Sequence, residues 1–238
     1  MANQHQETLA KSALELAKSL KIAFKDFAIL ENSLIHRSFI NEHRNRELES
    51  NERLEFLGDA VLELVVTDYL FANYKNEEGE LTNWRAALVC AESLAPVAEK
   101  LEIEKYLFVG RGEKKNYRSK QNILADGIEA VIGAIYIDRG MKEATRFIME
   151  NILINLPIIL ENELFLDAKT SLQETAQKQW KVTPEYKVLK EGGPDHNKWF
   201  EVGAYVNEKL LGKGRGSSKQ KAEKEAAKAS MDKLEKTK

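Results

Sequence analysis

Apolar residues recur at three- and four-residue spacing through Leu9, Ala13, Leu16 and Leu20, and again from Leu54 to Leu70. That is the repeat of helices with one side turned to a core. Residues 7–150 read as helical throughout, with no strand-like alternation. Breaks are few. Glu77-Glu78-Gly79-Glu80 reads as a turn, and Val109-Gly110-Arg111-Gly112 leads into a basic loop from Lys114 to Lys120. A helical stretch from Met141 meets Pro157, and a short helical or irregular piece continues to about Leu166.

The pattern then changes. Ala168 to Trp180 predicts a helix, Pro184 to Leu189 a strand, and Gly192-Gly193-Pro194-Asp195 a turn. Phe200, Val202, Ala204 and Val206 alternate with Glu201, Gly203, Tyr205 and Asn207, the period of a half-buried strand. Lys209 to Lys213 predicts a third strand. Ser217 or Ser218 can cap a last helix that runs to about Leu234. The expected architecture is an all-α domain at 7–160, then a small α+β domain at 167–236 with the order α-β-β-β-α.

Composition sharpens this division. The 238 residues carry a net charge of -2. Residues 167–238 hold 16 basic and 11 acidic side chains, whereas the preceding part holds 20 basic and 27 acidic. A basic module joined to an acidic one fits a polyanion binder beside a part that uses carboxylates, although solubilising charge gives the same split. A single cysteine, Cys90, excludes an internal disulfide and a four-thiolate zinc site, and the four histidines are too dispersed for a zinc pair. No apolar run is long enough to span a membrane, and the N-terminus lacks a signal-peptide pattern. The expectation is a cytoplasmic protein without membrane contact.

Glu52, Glu55 and Asp59 fall at i, i+3 and i+7, on one side of one helix, and Asp126 and Glu129 lie three apart on another. Spacing alone is weak, since 38 acidic residues give about six pairs at any fixed separation by chance. Their surroundings distinguish them. Phe56-Leu57 and Ala60-Val61-Leu62 flank the first set, and Ile123-Leu124-Ala125 and the run from Ile128 to Ile137 flank the second. Both helices look apolar almost all round and so predict burial. Buried carboxylates require compensation. Either they pair with cations such as Arg53 and Arg85, or both helices aim them at one divalent cation. An oxygen-only donor set favours Mg2+ or Mn2+ over zinc.

The segment Asn51-Glu52-Arg53-Leu54-Glu55-Phe56-Leu57-Gly58-Asp59-Ala60-Val61-Leu62 resembles the signature of the ribonuclease III family. Ile123 to Asp138 resembles that family's second carboxylate block, and the likeness extends from about Leu34-Ile35-His36-Arg37-Ser38 to the last helix. The resemblance implies that Glu55, Asp126 and Glu129 bind Mg2+, with Mn2+ able to substitute, and that Asp59 and Glu129 are catalytic. It gives Glu52 a supporting role and makes Glu78 a further acid near the site, although Glu78 reads equally well as a solvated turn residue. It implies a homodimer through the nuclease domain, with two sites making staggered cuts. Ser50, Asn116-Tyr117 and Gly127 depart from the usual pattern, and none of these changes removes a carboxylate.

Asp167, Lys169-Thr170, Leu172-Gln173-Glu174, Pro184-Glu185-Tyr186, Gly193-Pro194-Asp195-His196 and the run from Gly214 to Glu223 resemble a double-stranded RNA-binding domain. By that resemblance Gln173 and Glu174 touch one minor groove, the Pro194 to His196 loop touches a second, and Lys219 and Lys221 grip phosphates between them. Gln220 stands where a second basic residue is common. Trp180 and Trp199 read as packing residues.

The implied function is Mg2+-dependent hydrolysis of double-stranded RNA to 5′-phosphate and 3′-hydroxyl ends. The implied substrates are precursors of ribosomal RNA, structured messages and transfer RNA. A catalytically silent binding protein of the same fold is the alternative, and a nuclease acting on duplex DNA is a third.

Overall fold

The computed structural model describes residues 2–43, 48–113, 117–161, 168–194 and 198–235. The chain forms two compact units, one up to Asn162 and one from Glu163 onward.

The first unit is helical: α1 (Ala2–Leu20), α2 (Phe27–Ser33), α3 (Arg37–His43), α4 (Glu52–Asn73), α5 (Glu78–Val89), α6 (Ala91–Lys100), α7 (Tyr117–Arg139), α8 (Met141–Asn151) and α9 (Leu156–Glu161). The centre is α7, which packs against α2, α4, α6 and α8. From Ile123 to Ile135 every α7 residue except Asp126 and Glu129 is buried, and those two are half-buried. Asp138, at the end of α7, accepts the backbone N–H groups of Lys25 (2.9 Å) and Asp26 (2.8 Å), which fixes the entry to α2.

The α4–α7 crossing is unusually close. A side chain on Gly58 would overlap the carbonyl oxygen of Glu129 and stand 2.9 Å from the peptide nitrogen of Gly133. A side chain on Gly133 would overlap the carbonyl of Leu54. Glycine inside a helix costs about 1 kcal/mol relative to alanine. Here that cost permits backbone-to-backbone approach. Gly127 is a milder case, since a Cβ there would meet Leu107 Cδ1 at 3.1 Å.

Three expectations for this unit are corrected. Glu78-Gly79-Glu80 is not a turn but the first turn of α5, where acidic residues favour the positive end of the helix dipole. Pro157 does not end a helix; it lies in the first turn of α9, where its missing N–H leaves no bond unmade. The burial of α4 is one-sided. Leu54, Val61, Leu62, Val65, Val66 and Leu70 face the core, but Phe56, Leu64 and Phe71 are 80%, 57% and 75% exposed. At 3.6 residues per turn these three fall within about 80° of one another, as one apolar stripe.

The second unit follows the expected order: α10 (Ala168–Trp180), β1 (Glu185–Gly192), β2 (Trp199–Val206), β3 (Lys209–Gly216) and α11 (Lys219–Glu235). The antiparallel sheet runs β1-β2-β3, with Val188 opposite Val202 and Ala204 opposite Gly212. Leu172, Val202, Ala204, Ala222, Ala226 and Ala227 form its core. Asn207 (φ 48°) and Glu208 (φ 63°) turn β2 into β3 with two left-handed residues, the twist that suits a tight hairpin. β3 runs three residues beyond the predicted Lys213. Gly212, Gly214 and Gly216 each lie so close to Ser230, Ala226 or Ala222 of α11 that a Cβ would collide.

Gly58→Ala is expected to lower the unfolding free energy by about 1–3 kcal/mol or more through overpacking, although alanine is the better helix former. Urea unfolding measures this. Unchanged or raised stability would contradict the close crossing.

Candidate active site

The carboxylates converge. Glu55 from α4 and Asp126 and Glu129 from α7 each offer a carboxylate oxygen, and these oxygens lie within 4.8 Å of one another. All three residues are half-buried. Asp59, one turn beyond Glu55, is exposed and lies outside this group, but its charge acts on both Glu55 and Glu129.

The electrostatics follow from this proximity. Burial, and then the charges of Asp126, Glu52 and Asp59, push Glu55 up from the usual 4.5 to about 7. Burial, and then Asp59, Asp126 and Glu55, push Glu129 up to about 8. Burial also raises Asp126. Near neutral pH the group cannot ionise fully without cations. Three clustered carboxylate oxygens, partly withdrawn from water, suit a hard divalent cation.

Glu52 lies to one side of this group. Ser50 Oγ donates to it at 2.8 Å and Arg37 Nη1 at 3.2 Å, and these bonds hold its carboxyl below the usual range. The expected partner Arg85 donates to Thr67 Oγ1 at 3.1 Å, and Arg53 is exposed. Ser50, which departs from the family pattern, is thus a direct partner of Glu52. Glu78 is at the far end of α4, in a groove of about 560 Å³ lined also by Thr67, Phe71, Tyr74 and Arg85. That groove contains none of the clustered carboxylates.

The α2–α3 turn positions both carboxylate helices. His36 N–H donates to the Phe108 carbonyl (3.0 Å), and Phe108 N–H to the Leu34 carbonyl (2.8 Å). Asn32 Nδ2 donates to the Glu49 carbonyl at 2.8 Å. Ser38 Oγ accepts the N–H of Gly110 at 2.9 Å, which anchors the loop before α7. Neither Arg37 nor the two crossing glycines stood out among the sequence candidates. The signal available for the glycines was an interior helical Gly in each carboxylate block.

In the second unit, Gln173 and Glu174 are exposed on α10, and Pro194 is exposed in the β1–β2 connection. His196 lies outside the described residues, as do Asp167, Asp195 and Asn116. Lys219, Gln220 and Lys221 are exposed at the start of α11, which is capped by Ser218 Oγ accepting the Lys221 N–H at 3.3 Å. The Lys198 and Lys219 ammonium groups both approach the Phe200 ring, at 5.6 and 5.8 Å from its centre. Lys169 bridges α10 to Glu223 of α11 at 2.7 Å and lies 4.8 Å from the Tyr186 ring centre. Trp199 packs beneath the Arg215 guanidinium at 3.8 Å.

A helical unit with converging carboxylates, joined to an α-β-β-β-α unit with a basic helix start, defines a nuclease directed at duplex RNA. Comparison with known proteins agrees. Residues 26–156 match the family described as Ribonuclease-III-like, and residues 168–234 match the double-stranded RNA binding motif. Ribonuclease 3 of Borreliella afzelii is 43% identical over 93% of this chain and 91% of its own length. Ribonuclease 3 of Pelotomaculum thermopropionicum is 44% identical over 93% of each chain. A crystal structure of the nuclease domain of ribonuclease III from Campylobacter jejuni covers 60% of this chain and 94% of its own, with 40% identity and a TM-score of 0.53. The chain belongs to the ribonuclease III family, as an endoribonuclease specific for double-stranded RNA.

The raised carboxyl groups set a pH test. A group with a folded pKa above its unfolded value gives the folded state the larger share of protons, so stability falls as pH rises. Without metal, the melting temperature should decline from about pH 4.5 through about pH 8 on account of Glu55 and Glu129. Added Mg2+ should restore more at the upper end. Scanning calorimetry reads both effects. A melting temperature that rises over this range, with no response to Mg2+, would show that the carboxylates do not crowd.

Proposed function

We propose that this endoribonuclease uses Mg2+, held by Glu55, Asp126 and Glu129, to hydrolyse RNA duplexes to 5′-phosphate and 3′-hydroxyl ends, with Mn2+ as a substitute. The convergence of three carboxylate oxygens within 4.8 Å carries this reading. When bound, Mg2+ supplies neutralising charge and a water of lowered pKa. The chain's own groups do the rest. Glu129 and Asp59 are the catalytic pair: Glu129 faces the reacting phosphate from within the group, and exposed Asp59 orients the attacking water. In-line attack by water oxygen forms the new P–O bond and breaks the bond to the 3′ oxygen, which leaves as the hydroxyl. Arg37 holds Glu52, which supports the site from outside the group.

Each site cuts one strand, so cleavage of both strands calls for two sites. We assign the exposed stripe of Phe56, Leu64 and Phe71 to a homodimer of nuclease units that pairs them. A solvated apolar stripe on a helix that also carries a catalytic residue supports this assignment. Glu78 is proposed as an accessory acid of that assembly. In the second unit, Gln173 and Glu174 read one minor groove, Pro194 and His196 a second, and Lys219 and Lys221 the phosphates between them. The exposure of Gln173, Glu174, Pro194, Lys219 and Lys221 on one compact module supports this. The family likeness carries the wider roles: processing of ribosomal RNA, transfer RNA and structured messages in the cytoplasm. No helix among the described residues is long and apolar enough to cross a membrane.

The direct test incubates a long RNA duplex with the protein, in Mg2+ or EDTA, followed by end-group analysis. Shortening in Mg2+ alone, to 5′-phosphate ends, is expected. Metal-independent cleavage or 5′-hydroxyl ends would overturn the mechanism. Glu129→Gln should lower the cleavage rate by on the order of 10²–10⁴-fold and leave duplex binding intact; ordinary turnover would remove Glu129 from the chemistry. Lys219→Ala with Lys221→Ala should weaken duplex binding and reduce its log–log salt slope by about 2. An unaltered slope would mean that these lysines touch no phosphate.

A further inference from the structure

We propose that Asn51 is a positioning residue that sets where Glu55 stands relative to Asp126 and Glu129, an inference that rests on the cation site proposed above. Asn51 immediately precedes α4 and is 1% exposed. Its carbonyl accepts the Glu55 N–H at 2.9 Å, so it lies one turn beneath the α4 ligand. Its own N–H donates to the Ile35 carbonyl at 2.8 Å, and its Nδ2 donates to the Ser33 carbonyl at 3.3 Å.

The use of this side chain is unusual. Asparagine before a helix ordinarily turns its oxygen back onto the first free N–H groups. Asn51 makes no such cap bond, and its Oδ1 is buried without a hydrogen-bond partner among the described residues. The amide therefore forgoes a cap, which is unfavourable. What it makes instead is a tie to the turn at residues 32–36. That same turn pairs with Phe108 on the segment that leads to α7. Asn51 thus connects the start of one carboxylate helix to the lead-in of the other.

This tie does something the glycine crossing does not. Gly58 and Gly133 set how closely α4 and α7 approach. They offer no side chain to stop α4 from shifting along its axis or rotating. A fixed point at Asn51, four residues before Glu55 and on the same face, supplies that stop. Asn32, which donates to the Glu49 carbonyl at 2.8 Å and the Ser50 carbonyl at 3.4 Å, holds the same segment from its more exposed side.

The test compares the unaltered full-length protein with Asn51→Ala and Asn32→Ala. Mn2+ binding is followed through the electron paramagnetic resonance of the free ion. The Mg2+ concentration for half-maximal duplex cleavage and metal-free duplex binding are measured alongside. Asn51→Ala is expected to weaken Mn2+ binding and raise the Mg2+ requirement on the order of tenfold, the scale for groups that orient metal ligands. Excess Mg2+ restores much of the rate, and duplex binding stays as it was. Asn32→Ala moves both metal readouts the same way by less, and it decides the matter alone if Asn51→Ala does not fold. Folded variants with the unaltered protein's Mn2+ affinity and Mg2+ requirement would overturn the role of Asn51 and leave the cation site standing. An unaltered protein that neither binds Mn2+ nor needs Mg2+ would overturn both.

Discussion

The site depends on one steric fact: two helices touch backbone to backbone where Gly58 meets Glu129 and Gly133 meets Leu54. Helices separated by ordinary side chains lie 8–10 Å apart between axes. Side chains as short as Asp and Glu, projecting from both, then leave a wide gap. Removing two β-carbons at the crossing brings Glu55 of α4 within 4.8 Å of Asp126 and Glu129 of α7, oxygen to oxygen. The carboxylate cluster is therefore built on glycines that contribute no side chain to it.

The same approach creates the electrostatic problem that a cation solves. Burial disfavours the ionised form of each carboxyl, and every neighbour adds a like charge, so Glu129 and Glu55 retain protons to about pH 8 and 7. A protein that held these groups together only to stabilise itself would lose by it. The surroundings show the opposite arrangement. Arg37 and Ser50 engage Glu52 and leave the inner three without a described ion pair. The second unit is built on a similar economy of side chains: Gly212, Gly214 and Gly216 seat β3 directly on Ala222, Ala226 and Ser230. This holds α11, and with it Lys219 and Lys221, against the sheet.

Much of this was legible along the chain. The α-β-β-β-α order follows from a period-two run at Phe200 to Val206 between two helical segments, and both carboxylate blocks stand out because acids interrupt apolar helices. The remainder depends on proximity in space. An apolar helix reads as buried whether its second side meets a core or lies bare, so the exposure of Phe56, Leu64 and Phe71 shows only in the structure. Gly214 and Gly216 read as lying beyond the third strand until the small residues of α11 are seen opposite them. Glu78-Gly79 reads as a turn because its dipeptide signal is local, whereas its helical state comes from the start of α5. Asn51 and Arg37 act through partners 15 or more positions away, which no local pattern reveals.

The most direct measurement is the number of protons released when Mg2+ binds, obtained by titration calorimetry at about pH 7.5 in buffers of different ionisation enthalpy. A cation that enters a cage of partly protonated carboxyl groups must displace protons. Saturable binding is expected, with clear proton release that diminishes above about pH 9, beyond the elevated range of Glu55 and Glu129. Binding with no proton exchange at either pH, or no saturable binding, would contradict it.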